Sequence, residues 1–100
     1  MSRLILSPRA RQDLRRLVDF LVPTDPEAAA DTVDVIRQAL DILTHQPLIG
    51  RPVPGRLREL VIQRGSTGYL ALYRVHASLS EVEVLAIRHQ RESGHHADDL

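Results

Sequence analysis

The segment VEVLAIRHQRE, from Val82 to Glu92, is an apolar run that stops abruptly in Arg88, His89, Gln90 and Arg91. A buried strand ordinarily ends at Gly, Asn, Asp or Pro. A basic cluster at that point instead sets guanidinium charge beside an imidazole that can exchange a proton near neutral pH. The chemistry on offer is recognition of an acidic or anionic partner, with His89 as the one group in the cluster able to move a proton. All 13 basic residues of the chain are arginine, so catalysis by lysine is excluded, and arginine itself stays protonated. The absence of cysteine removes disulfides, thiol nucleophiles and thiolate zinc sites. His95-His96 and Asp98-Asp99 are metal-ligand types, but adjacent histidines rarely share one ion and the segment reads as a polar tail. No metal and no cofactor is expected.

One hundred residues with zero formal net charge bound the chain to one modest core and deny it a whole-molecule field for attracting nucleic acid. The charge is unevenly placed. Arg51 to Arg91 holds seven arginines against Glu59, Glu81 and Glu83, whereas Asp19 to Asp41 holds six acids against Arg37. A basic C-terminal half follows an acidic middle. The opening MSRLILSPRARQ has a three-residue apolar run, far short of a signal or membrane segment. A cytoplasmic location without a membrane partner is expected.

These residues need a scaffold, and the pattern supplies one. Leu4-Ile5-Leu6 is β-compatible. Ser7-Pro8 then starts a helix, with Ser7 as cap and Pro8 at the first position, where its missing N–H does no harm. Ala10, Leu14, Leu17, Val18 and Leu21 recur at helical spacing, and the helix ends before Pro23. Thr24-Asp25-Pro26-Glu27 repeats the start signal with Asp25 as cap. In the second helix Ala29, Val33, Ile36, Leu40 and Leu43 form one apolar stripe and Val35, Ala39 and Ile42 a second, so the helix is apolar over more than the usual face. The short joint predicts an antiparallel hairpin. Pro47 to Gly55, with three prolines and two glycines, reads as a structured loop.

Arg58–Arg64, Tyr69–His76 and Glu81–His89 then read as three strands joined by hairpin-length turns, Gly65–Gly68 and Ala77–Ser80. Alternation places Val82, Val84 and Ala86 on one side of the last strand, with Leu85 and Ile87 on the other. Tyr69 and Tyr73 share a face, and Arg58 and Glu59 lie on opposite faces unless the strand bulges. The expected fold is therefore α+β: an N-terminal strand, an antiparallel two-helix hairpin, and a three-stranded antiparallel meander forming one small sheet. Residues 1–92 make a single domain and 93–100 a polar tail that frays.

The order Ala10…Asp13-Leu14, Ala39-Leu40…Leu43…Pro47…Gly50-Arg51, Arg58…Leu60, Tyr69…Leu72-Tyr73-Arg74 and Val84-Leu85-Ala86-Ile87…His89…Arg91 resembles the RelE/ParE superfamily of type II toxins. Within it the chain is most similar to the ParE branch, the plasmid stabilization proteins. The resemblance runs from residue 4 to 91 and rests on the order of the pieces rather than on any single one. It implies a growth-arresting toxin neutralised by a cognate antitoxin in a hetero-oligomer, with DNA bound only through the antitoxin. ParE-like members inhibit DNA gyrase by binding. RelE-like members are endoribonucleases that cut messenger RNA on the ribosome. A shared fold does not choose between these activities.

Cutting RNA requires a base for the 2′-hydroxyl, an acid for the leaving oxygen and cations around the phosphate. With no lysine, and Tyr73 the last aromatic, such a site would have to be assembled from Glu59 as base, His89 as acid and Arg58, Arg74 and Arg91 on the phosphate. The competing expectation has no catalytic residue. There Arg58, Tyr73, Arg74, Arg88, His89 and Arg91, with Val35 and Ile42 of the second helical stripe, receive the target or the antitoxin, an amphipathic helix followed by an extended stretch.

Overall fold

The computed structural model describes residues 1–65, 67–76 and 78–90. Its elements are β1 (Arg3–Leu6), α1 (Pro8–Leu21), α2 (Pro26–His45), β2 (Arg51–Val53), β3 (Leu57–Arg64), β4 (Thr67–Val75) and β5 (Glu81–His89). Both helix starts follow the cap chemistry expected of them. The Ser7 hydroxyl accepts from the Ala10 amide at 3.0 Å and the Asp25 carboxylate from the Ala28 amide at 3.0 Å, each followed by proline in the first turn.

The strands form one five-stranded sheet in the order β1-β5-β4-β3-β2. The meander β3-β4-β5 is antiparallel, and β1 pairs in parallel with the first residues of β5, Glu81 to Val84. The structure adds one element to the sequence expectation. Inside the proline-rich loop, Arg51–Val53 pairs with Leu57–Glu59 as a short edge strand. Pro52 is tolerated there because an edge strand has a side that needs no donor.

The helical hairpin covers one face of the sheet. Leu17, Ile36, Leu40 and Leu43 of the helices close over Ile62, Tyr69, Ala71, Tyr73, Val82, Val84 and Ile87, all buried. Cross-strand partners share a face, so the register names both sides. Leu6, Val84, Tyr73, Arg58 and Pro52 form one row on the helix-covered side, and Ala86, Leu72, Glu59 and Arg51 form a row on the bare side.

A register shift corrects the simple alternation expected in β5. Leu72 pairs with Ala86 while Tyr73 pairs with Val84, so Leu85 is an extra residue opposite the step between them. Such a bulge reverses the alternation beyond it. Ile87 therefore joins Val82 and Val84 in the core, and Ala86 turns to the bare face beside Leu85.

Beyond Leu6, where β1 stops pairing, α1 takes over the edge of β5. The Ser7 amide donates to Val84 O at 2.9 Å and its hydroxyl to Leu85 O at 3.1 Å. The Asp13 carboxylate, 4% exposed, accepts the Ile87 amide at 2.9 Å. A buried carboxylate is tolerable only with such partners, and Arg16 Nη1 lies 3.6 Å from its other oxygen.

Candidate functional site

The face of the sheet opposite the helical hairpin carries a depression of its own. Leu70, Leu72, Leu85 and Ala86 line a shallow depression of about 240 Å³ there, rimmed by Arg9 from the first turn of α1, Arg88 from β5 and Glu59 from β3. Val61, opposite Leu70 in the ladder, extends the apolar surface at 46% exposure. The bulge matters here, because two successive residues of β5, Leu85 and Ala86, feed the same face. The depression thus couples aliphatic surface with the guanidinium groups of Arg9 and Arg88 and the carboxylate of Glu59.

Arg88 stands in the row of Leu70 and Val61, and Arg74 in the row of Glu83 and Ile5, both on this face. Arg74 is exposed and Arg88 half-buried. Glu59 reaches the rim already engaged: Arg51 Nη2 donates to its Oε1 at 2.6 Å and Arg51 Nε to the same oxygen at 3.0 Å.

The helix-covered side uses the other candidate residues differently. Tyr73 is fully buried, its hydroxyl donating to Pro47 O at 2.8 Å and accepting from the Gly50 amide at 2.8 Å. Burial pushes this phenol up from its ordinary range, outweighing the lowering by the Gly50 amide and the Arg58 charge. Arg58, its cross-strand partner, donates to Gly50 O at 2.7 Å and Leu48 O at 3.1 Å. Together the two side chains hold the 47–50 loop against the sheet.

His89 is on this same side, in the row of Tyr69 and Ile62, with its ring edge-on to Tyr69 at 5.4 Å between centroids. Val35 packs on the core beside Ala39, so the chain covers much of the second helical stripe itself, while Ile42 remains 46% exposed. Arg91 and the His95-His96 and Asp98-Asp99 tail lie outside the described residues. Among the described residues no group of three or more His, Asp or Glu could hold a metal ion, and no helix is long and apolar enough to cross a membrane.

Asp13, Arg9 and Gly50 carry parts of this arrangement that residue types alone did not assign. For Asp13 a signal existed: it sits between Ala10 and Leu17 on the core-facing side of α1, where an unpaired carboxylate would be costly. Arg9 gave no such signal, since only the docking of α1 beside β5 brings it to the sheet.

The family model for the ParE toxin of the type II toxin–antitoxin system parDE matches residues 4–94. This chain belongs to that family. It is 40% identical to Toxin RelE1 of Caulobacter vibrioides over 88 residues, 88% of this chain and 92% of the relative. It is 35% identical to Toxin RelE3 of the same organism over 92 residues, covering 92% and 98% of the two chains. Among solved structures it superposes on a chromosomal ParDE toxin–antitoxin system from P. aeruginosa with a TM-score of 0.73 at 27% identity, covering 89% of this chain and 96% of the other. The RelBE2 toxin–antitoxin complex of Mycobacterium tuberculosis gives 0.57 at 26% identity, covering 89% and 98%. The chain is a toxin of the RelE/ParE superfamily, and both branch names occur among its relatives.

Proposed function

We propose that this toxin arrests growth by binding DNA gyrase, with no covalent chemistry of its own, and that a cognate antitoxin silences it by lying across the bare face of the sheet. The observation carrying this reading is the separation of Glu59 and His89. A base and an acid acting on one ribose-phosphate step must reach the same few ångströms of substrate. Here Glu59 faces outward in an ion pair with Arg51, whereas His89 lies on the helix side against Tyr69. Arg58, a candidate phosphate ligand, is turned to that same helix side, away from Glu59.

In this reading Arg74 and Arg88 contact the antitoxin at rest and the target after release, and Arg91, outside the described residues, is assigned the same role. Ile42 meets the antitoxin's amphipathic helix. Tyr73, Arg58 and Val35 contribute by holding the surface in shape. The toxin–antitoxin pair is a hetero-oligomer that meets DNA only through the antitoxin, and it has no use for a metal or cofactor.

The RelE names of the two Caulobacter relatives support a second reading, ribosome-dependent cleavage of messenger RNA. Two measurements separate them. On the first reading, purified toxin at micromolar concentration should inhibit supercoiling by gyrase, and His89→Ala should still arrest growth with filamentation. Unaffected supercoiling, together with cleaved messages that vanish in His89→Ala, is the outcome that replaces the first reading by the second.

A further inference from the structure

A second groove, sharing no residue with the bare-face depression, lies where β4 ends and β3 begins. It encloses about 310 Å³, and Leu48, Leu57, Val75 and Leu79 contribute to its apolar lining. Leu48 and Leu79 are 53% and 48% exposed and line the same hollow, so their exposed apolar surface is gathered at one site. Its polar lining is entirely of one kind: Arg56, Arg58 and His76, with no carboxylate. Glu83, 3.7 Å from His76 Nε2, is not part of the lining. In a chain of zero formal net charge, that bias is local, part of the arginine excess of the C-terminal half.

The backbone gives a second, independent sign. Arg56 and Leu79 are the two non-glycine residues with positive φ among the described residues, each at +59°, and both line this groove. Left-handed backbone in a residue with a Cβ is unfavourable, and such strain collects at ligand clamps. Here it aims one cationic and one aliphatic side chain at the same hollow. Arg58 is preset as well, its guanidinium fixed by Leu48 O and Gly50 O.

We propose that this groove docks an extended acidic peptide segment, seating an aliphatic side chain against Leu48 and Leu79 and a carboxylate on Arg56 and Arg58. The lining favours peptide over nucleic acid, because it holds no Phe, Tyr or Trp on which a base could stack and is mostly aliphatic. Charge complementarity selects the acidic class. The site stands apart from the gyrase reading, since its residues and those of the bare face are disjoint.

The test is selection of phage-displayed peptides on the full chain, followed by fluorescence anisotropy with the selected peptides labelled with fluorescein. The recovered sequences are expected to place Asp or Glu beside Leu or Ile. Their affinity should fall at least about tenfold in Arg56→Glu and in Leu79→Asn, and stay within about twofold in Arg88→Glu on the other face. Asn tolerates the left-handed backbone, and Arg56→Gly removes the cation while relieving the same strain, so loss of binding is separable from loss of fold by thermal melts. The proposal is overturned if no recovered peptide depends on Arg56 and Leu79, if binding needs no acidic residue or is lost equally in Arg88→Glu, or if a labelled single-stranded RNA takes the groove instead.

Discussion

The Tyr73 hydroxyl sits between Pro47 and Gly50, donating to the carbonyl of one and accepting from the amide of the other, both at 2.8 Å. This closes the loop that carries β2, the edge strand whose Arg51 engages Glu59 on the far face of the sheet. Tyr73→Phe keeps the ring and removes the bridge, leaving two polar groups unpaired beside the core. The expected loss is about 1–3 kcal/mol of unfolding free energy, measured by urea denaturation near neutral pH.

The same hydroxyl makes alkaline stability a test of its burial. Its ionisation in the folded chain is pushed above the ordinary value of 10.0, chiefly by desolvation. Below pH 10 the phenol is neutral in both states and its contribution is complete. As pH rises past 10 the unfolded chain ionises first, so stability is lost progressively until the folded-state value is passed. Urea melts across this range should show an alkaline loss in the native chain that is reduced in Tyr73→Phe. Equal slopes in the two proteins would contradict the assignment.

Gly50 is the counterpart of that tyrosine. A Cβ at this position would stand 2.6 Å from Tyr73 Oη, 2.7 Å from its ring carbon Cε1 and 2.9 Å from Glu59 O. Because one of those atoms is backbone and another belongs to a buried ring, the neighbours cannot all give way. Gly50→Ala should cost about 1–3 kcal/mol, and Tyr73→Phe in the same chain should not restore it, since the ring and the Glu59 carbonyl remain. Chemical denaturation of the two single variants and the double variant decides this.

Asp13 ties α1 to β5 beyond the reach of β1. Asp13→Ala strands the Ile87 amide in the interior and should cost about 1–3 kcal/mol; Asp13→Asn retains an acceptor and should cost less. Amide hydrogen exchange at Ile87 gives the local readout, with protection reduced in Asp13→Ala and largely kept in Asp13→Asn.

On the bare face, Leu72→Asp and Arg88→Glu alter groups in the antitoxin surface proposed above without opening the helix-side core. Calorimetric titration with the cognate antitoxin should show affinity reduced at least about tenfold in each. Tyr69→Phe, on the other side of the sheet, should leave that affinity unchanged. A bare-face variant that binds normally would remove that face from the antitoxin interface.

Residue order carried the elements and the family, because caps and periodicity are local. Ser7-Pro8 and Asp25-Pro26 set both helix starts through one side-chain acceptor and one preset φ each. The shared face of Tyr69 and Tyr73 followed from the two-residue period of a strand. Neither the short strand β2 nor the bulge at Leu85 was legible, since each depends on what the neighbouring strand presents and not on the residues themselves.

The candidate site shows the same division. Its residue types were visible along the chain, as arginines near an apolar strand end with a glutamate and a histidine. Which of them share a side was decided only by pairing across strands. That pairing sends Arg74, Arg88 and Glu59 to the bare face and Arg58, Tyr73 and His89 to the helix side. A linear pattern fixes alternation within one strand; strand register and a bulge fix which alternations coincide, and those are free energies of the whole packed sheet.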